Sequence, residues 1–526
     1  MHFPMTLPTR RRTVRHAASL PAATPRVHPL RPADLRAPAP LVLTDAVFEN
    51  IRSTVGSEPA ETGGPLGGTR GSGVADSYHF DGGANTTPVI YRPDVNSLNA
   101  MFKIQWNPTG TNLLGFAHSH PAGNRRPSHG DLAYAKDILA AIPELDRLVL
   151  PVVQSAADTA AFSIAGFAAR RDLAAGMQLD DIDVMVLPAA ARAPEDTPEL
   201  QRVLAAYDPA VMASTRVLAV GCGGSASFLE DMARAGCAEF VLIDPDIVEA
   251  PNVGTQQTYL SDIGRLKVES IAERLIDISS RVRVWTVAAR LDDLDDAAMR
   301  RLALGWLPSP TASSPAATVL CAFTDDFFVQ ARVNRLGLHL GLPVIGAVVY
   351  REGRGVEVTF SAPGVTSACI RCALASRYRS YLNKGYVNDV TSHGTPISAT
   401  ARLNALKLPI VLGMLHTVSP RADVEHPATI RHRRFLDSIQ DRNLVVASLD
   451  PDIDTTLGVS LFRATTADPS GRLAVDTTLW LKQEPDAAAF GREQCPDCGG
   501  SGDLSQSTNQ FIDTTPMPVN FGDYRR

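Results

Sequence analysis

Apolar residues first cluster at Leu41–Phe48, and ordered structure is expected to begin there. From that point to about Ala168 the pattern reads as strands and helices in mixture. The apolar run Leu113–Phe116 predicts a strand, and Asp131–Ile142 predicts a helix with Ser128 as its N-cap. The run Leu187–Glu199, LPAAARAPEDTPE, is rich in Ala, Pro and acid and reads as a linker. Beyond it the pattern alternates regularly. Arg216–Val220, Phe240–Ile243, Val282–Val287, Thr318–Ala322 and Val344–Val349 read as buried strands. Ser227–Ala235, Leu266–Ile278 and Asp326–Leu340 read as helices. Strands alternating with helices predict a mostly parallel, doubly wound sheet.

Length supports a division in two, since 526 residues exceed one ordinary core. The expected layout is a disordered basic extension at 1–40, a mixed α/β domain at 41–175, a linker at 176–199 and a doubly wound α/β domain at 200–526. The extension carries Arg10, Arg11, Arg12, Arg15, Arg26, Arg31 and Arg36 against one acid, Asp34, with several prolines. An organelle transit peptide is the other reading of that composition. A net charge of −6 offers no global attraction for nucleic acid or a membrane. No apolar run approaches the ~20 residues of a membrane span. Neither partner is expected, and the expected location is the cytoplasm.

The seven cysteines sharpen this picture. Cys222, Cys237 and Cys321 stand singly, whereas Cys369/Cys372 and Cys495/Cys498 form two CxxC pairs. Two such pairs supply four thiolates, which close a structural zinc site with no open position. A thiol-rich disulfide framework is not indicated.

The first domain contains HSHP, which places His118 and His120 two apart, on one side of a strand end. With Asp131 they make a three-ligand zinc set that leaves the fourth position open for water. Glu61, beside the glycine-rich ETGGPLGG, is the candidate general base, and Ser128 could donate to a tetrahedral oxyanion. His129 reads as solvated. These residues resemble the JAMM (MPN/JAB) metalloprotease family, whose core is H-x-H-P and then Ser-x-x-Asp, with seven residues between the second His and the Ser, here Pro121–Pro127. The resemblance covers about 41–175 and implies a cytidine-deaminase-like fold. It implies His118, His120 and Asp131 as ligands of a catalytic zinc, Glu61 as base and Ser128 as oxyanion partner. It also implies cleavage at the C-terminus of ubiquitin-like proteins.

In the second domain GCGGSAS, Gly221–Ser227, lies between a strand and a helix, where backbone amides can hold phosphates. About 20 residues on, IDPD offers Asp244 and Asp246 to a ribose. The segment IDPDIVEAPNVGTQQ resembles the ThiF/MoeB family, the adenylating core of ubiquitin-activating enzymes. Asp246, Asn252, Gln256 and Lys267 fall in register with it, and FTDDFFVQARVN places Asp325 where the family holds magnesium and ATP, with Arg332 and Asn334 following. The resemblance implies a Rossmann-like domain with a zinc knuckle. It implies ATP and Mg2+ at Gly221, Gly223, Gly224 and these residues. Asp246 would bind the ribose, Asn252 the phosphates, Lys267 would offset phosphate charge, and Asp325 would hold magnesium. It also implies a homodimer. Thr255 stands where the family has arginine, Ala226 where it has the third glycine, and no arginine motif precedes the first strand, Arg202 being the nearest candidate. No cysteine lies between 373 and 494, so a thioester step is not expected.

The expected function is processing and activation of a ubiquitin-like protein: zinc-dependent cleavage at its C-terminus and adenylation of the carboxylate, with a separate conjugating-type protein receiving the acyl group. Two other readings stand beside it. One is an adenylyltransferase for a sulfur-carrier protein in cofactor synthesis. The other is a non-catalytic scaffold that binds a ubiquitin-like protein and nucleotide.

Overall fold

The computed structural model describes residues 15–16, 26–187 and 197–483, with gaps at 37, 69–73, 144, 146, 160, 173–175, 306, 308–316, 376–377, 379–394 and 449–476, and then 495, 497 and 498. Two compact units emerge. The first takes in 1–24, 35–191 and 304–314, and the second 25–34, 192–303 and 315–526.

The first unit is built on a seven-stranded mixed sheet. Its path runs Arg147–Val149, Ser163–Asp172, Val152–Gln154, Asn112–Ser119, Gly63–Gly68 and Ser77–Tyr78, and Gly176–Ile182 pairs with Ser163–Asp172. Alternation along the Ser163–Asp172 strand divides the core. Ile164 and Ala168 join Val47, Phe48 and Ile51 of the helix Asp45–Ser53. Phe167 and Ala169 join Ala135 and Leu139 of the helix His129–Ala141. Successive side chains of a strand point to opposite faces, so each helix covers its own face. A small parallel sheet of Arg15–His16, Val184–Leu187, Leu41–Thr44 and Val74–Ala75 completes the unit.

The second unit carries a nine-stranded sheet. Six parallel strands lie in the order Val27–Pro29, Arg283–Val287, Glu239–Ile243, Thr215–Val220, Ala317–Ala322 and Val344–Tyr350. Gly355–Ser361, Leu444–Ser448 and Thr477–Leu481 extend it antiparallel. Thr215–Val220 is buried throughout, as a central strand with both faces covered must be. Its one charge, Arg216, is paired with Glu239 on the next strand at 2.9 Å. Among the described residues no helix is long and apolar enough to cross a membrane.

Two expectations need correction. Within the extension expected to be disordered, Val27–Pro29 pairs in parallel with Arg283–Val287 as the outermost strand of the second unit. The expected linker begins too early, because Gly176–Ile182 and Val184–Leu187 are strands of the first unit. Across the junction of the two strands, exposed Asp181 and Asp183 alternate with buried Ile182 and Val184, which suits strands with one face toward water. Residues 188–196 lie outside the described residues.

Candidate functional site

His118 is the penultimate residue of the Asn112–Ser119 strand, between Gly63 on one neighbouring strand and Val152 on the other. A Cβ at position 63 would come within 2.8 Å of the His118 Cβ, so the glycine permits this close approach. His120, two residues on, turns its ring to the same side. The two rings are 3% and 1% exposed, and their Nε2 atoms lie 2.9 Å apart. Asp131 brings one carboxylate oxygen to each, at 3.2 Å.

A capping box fixes Asp131. Ser128 caps the His129–Ala141 helix, its Oγ accepting from the Asp131 N–H at 3.2 Å while its own N–H donates to Asp131 Oδ2 at 2.6 Å. Burial opposes ionisation of Asp131, but hydrogen bonds from His118 and His120 outweigh it and hold the carboxyl well below the usual range. Two imidazoles and a carboxylate converging this closely fit a zinc ion. Tetrahedral bonds of about 2.0–2.2 Å require donor atoms roughly 3.3 Å apart.

Glu61 lies two residues before the Gly63–Gly68 strand. Burial raises its carboxyl above the ordinary value, against the opposing influence of His120 and His118. Tyr91, which sequence reasoning missed, ties this corner together. Its ring stacks on His118 at 6.3 Å, its hydroxyl donates to Asp81 at 3.1 Å, and its backbone N–H donates to Glu61.

In the second unit the sheet opens a crevice where the chain leaves Thr215–Val220 toward one side and Ala317–Ala322 toward the other. A cavity of about 480 Å3 lies there. The glycine-rich turn, Asp244, Asp246, Asn252, Gln256, Lys267 and Asp325 all line it, so the structure brings every predicted nucleotide residue together. Gly221 has φ +81°, and a Cβ there would meet the Phe323 carbonyl oxygen at 2.8 Å, which makes glycine necessary.

The two acids of IDPD differ in kind. Asp244 is buried and accepts from the Cys222 N–H at 2.8 Å and the Asp246 N–H at 3.0 Å, so it braces the glycine turn. Burial raises its carboxyl despite those donors. Asp246 is exposed and pairs with Lys267 Nζ at 2.9 Å. Asn252 accepts from the Glu249 N–H at 2.9 Å, forming a local cap. Gln256 lies against Gly223, and its Oε1 is buried with no hydrogen-bond partner among the described residues. Partial burial, then the charges of Asp326 and Asp246, push the Asp325 carboxyl up.

Arg332 and Asn334 do not reach this cavity. Arg332 donates to the carbonyls of Leu291 and Leu294, at 2.7 and 2.6 Å. Asn334 joins Asp497 and the Ile370 N–H. Residues outside the sequence reading also line the cavity, among them Arg290, Thr400 and Lys407. The last two come from the helix Ile397–Val418.

Cys369, Cys372, Cys495 and Cys498 form one buried cluster, with Sγ atoms 4.0 Å apart for Cys369–Cys495 and 3.7 Å for Cys372–Cys498. Tetrahedral Zn–S bonds of about 2.3 Å require edges of roughly 3.8 Å, so the four thiols fit a closed zinc site. The single cysteines are fully buried, and burial pushes Cys222, Cys237 and Cys321 up, which makes them poor nucleophiles.

Residues 203–478, more than half of the chain, match the ThiF family. The chain belongs to the ThiF family. Residues 45–164 match the prokaryotic homologs of the JAB domain, so a JAB domain is joined to the ThiF domain. The SAMP-activating enzyme E1 of Haloferax volcanii is 27% identical over 162 residues, covering 30% of this chain and 53% of that protein. The chain thus spans about half the length of that curated relative. Among solved structures, E. coli MccB with succinimide shares 16% identity over 53% of this chain and 68% of that one, with a TM-score of 0.35. PaaA in its selenomethionine form shares 15% over 46% and 72%, with a TM-score of 0.33.

Proposed function

We propose that the ThiF domain adenylates the C-terminal carboxylate of a ubiquitin-like protein, and that the JAB domain cleaves peptide or isopeptide bonds at such a C-terminus. One observation carries the first step. The glycine-rich turn, Asp246, Lys267 and Asp325 face a single cavity at the carboxyl end of the parallel strands. In this reading the backbone N–H groups of Gly223 and Gly224 bind phosphate, and Lys267 offsets its charge. Asp246 takes the ribose and Asp325 holds Mg2+. The incoming carboxylate attacks the α-phosphorus of ATP, giving an acyl-adenylate and pyrophosphate. The buried single cysteines leave the acyl group to a thiol, amine or sulfide on another protein.

In the JAB domain, His118, His120 and Asp131 would hold a catalytic zinc. A zinc of this kind lowers the pKa of a bound water to about 7 and polarises a carbonyl. Glu61, kept basic enough by its partly buried setting, takes the proton of the attacking water and passes it to the leaving amine. The Ser128 hydroxyl, already an acceptor for the helix, has its proton to donate to the oxyanion.

The name of the Haloferax relative, a SAMP-activating E1, supports the choice of a small protein as acyl donor. The test is ATP–pyrophosphate exchange with a ubiquitin-like protein ending in free diglycine. Exchange that depends on this partner is expected. Its absence with several such proteins, when the chain is folded and metal-replete, would overturn the adenylation reading.

A further inference from the structure

One face of the helix Ile397–Val418 packs against the nucleotide cavity and its glycine-rich turn. Thr400 Oγ1 donates to the Ile397 carbonyl at 2.8 Å and lies 3.4 Å from the Thr255 carbonyl oxygen. One turn on, Asn404 Nδ2 donates to the Gly224 carbonyl at 3.0 Å and to Ser227 Oγ at 2.5 Å. Another turn on, Lys407 Nζ donates to Ser225 Oγ at 3.0 Å. Residues spaced by three and four share a helix face, so Asn404 and Lys407 together hold the glycine-rich turn, with Thr400 beside Thr255.

Lys407 is unusual within it. It is fully buried yet lines the cavity, 3.7 Å from the centre of the Phe323 ring and 5.0 Å from that of Phe228. Among the described residues no carboxylate pairs with it. A buried ammonium without a counter-charge is costly, and an apolar side chain would pack there more favourably. What its position does offer is a cation under the turn expected to carry phosphate.

We propose that Lys407 is a positioning residue for nucleotide, a buried cation that acts through Ser225 on the glycine-rich turn and becomes charge-compensated when phosphate binds. This rests on the nucleotide-binding reading of the cavity.

The groups that face Lys407 are few. The strand Ala317–Ala322 presents Cys321, and the helix Ala226–Arg234 presents Phe228. Around the same cavity stand Asp244, Asp246, Lys267, Arg290, Asp325 and Asp326. Burial pushes the Lys407 ammonium down to about 7, with Cys321 acting weakly the other way. Above that pH the free protein holds Lys407 neutral. Binding a polyphosphate favours the charged form, so nucleotide should bind together with a proton.

The experiment is calorimetric titration of the full chain with MgATP, in pairs of buffers that differ in ionisation enthalpy, from pH 6.5 to 8.5. Near pH 8 the wild type should take up close to one proton per MgATP and little with adenosine. Its affinity should fall by up to about tenfold per pH unit above 7. Lys407→Met, which keeps the packing, should bind about tenfold more weakly at pH 6.5 and show neither proton uptake nor the pH trend. Proton uptake retained in Lys407→Met, or absent from the wild type at pH 8, overturns the role of Lys407 alone. The second measurement needs no variant and so decides the matter even where Lys407→Met does not fold. Failure of the wild type to bind MgATP at any pH overturns the nucleotide reading and this inference with it.

Discussion

Arg371 and Asp497 sit one inside each CxxC pair, and their side chains meet at 2.7 Å in the interior. The charges are 126 residues apart in sequence, so the contact locks the two knuckles in register. Asn334 adds a hydrogen bond to the other Asp497 oxygen at 3.0 Å. Burial raises the Asp497 carboxyl, and Arg371 draws it back down.

Removing one partner strands the other. Asp497→Ala should destabilise the protein by about 3–5 kcal/mol, the cost of an uncompensated buried charge. Arg371→Met with Asp497→Leu should recover much of that loss. Urea unfolding of the three proteins checks the order, and a single variant as stable as the wild type would refute the pairing.

Metal content should be about two zincs per chain, one open and one closed. His118→Ala should lower it to about one and leave thermal stability nearly unchanged. Cys498→Ser should also lower it to about one, but with a clear loss of melting temperature, because a structural zinc contributes folding energy directly. Elemental analysis of protein purified without chelator reads the first result, and melting curves the second.

Glu61→Gln should reduce peptide cleavage by at least about a hundredfold while leaving pyrophosphate exchange at wild-type rate. Asp325→Ala should do the reverse, lowering exchange by about 10²–10³-fold. Assay of both activities on both variants shows whether the two chemistries are separable. Asp244→Ala should fail differently, with lost stability as well as lost exchange, since its carboxylate holds the backbone N–H groups of Cys222 and Asp246.

Acid should weaken the second unit through His416. Its Nε2 accepts from the Asp208 N–H at 3.1 Å, and its ring is buried. Burial lowers its pKa to about 4, against an unfolded value near 6.5. Its contribution is therefore complete above pH 6.5 and is lost as pH falls toward 4. At pH 5 the loss should be about 2 kcal/mol. His416→Gln keeps an acceptor and should lack this part of the pH dependence in urea titrations.

Much of both sites was legible in sequence because the chemistry lies in short local motifs. HSHP with the serine and aspartate beyond it, GCGGSAS, and the two CxxC pairs each show their spacing directly. The division of labour between Asp244 and Asp246 was not legible, since IDPD does not say which carboxylate turns back onto the glycine turn. Lys407 was hidden for another reason. It lies 182 positions from Ser225, and only the folded helix brings it under the turn. The strand Val27–Pro29 was masked by its Arg- and Pro-rich surroundings, which are tolerable at a sheet edge.

That edge strand has a consequence for how the protein is made. Val27–Pro29 leaves the ribosome before the whole JAB domain, yet its partner Arg283–Val287 follows about 250 residues later. At about 5–20 residues per second, the first strand waits for tens of seconds while an entire domain is synthesised behind it. In sequence, the JAB match at 45–164 thus falls between two segments that build one sheet of the second unit. A ThiF fragment started at residue 200 would emerge with the Arg283–Val287 strand uncovered, a ready template for unwanted pairing between nascent chains.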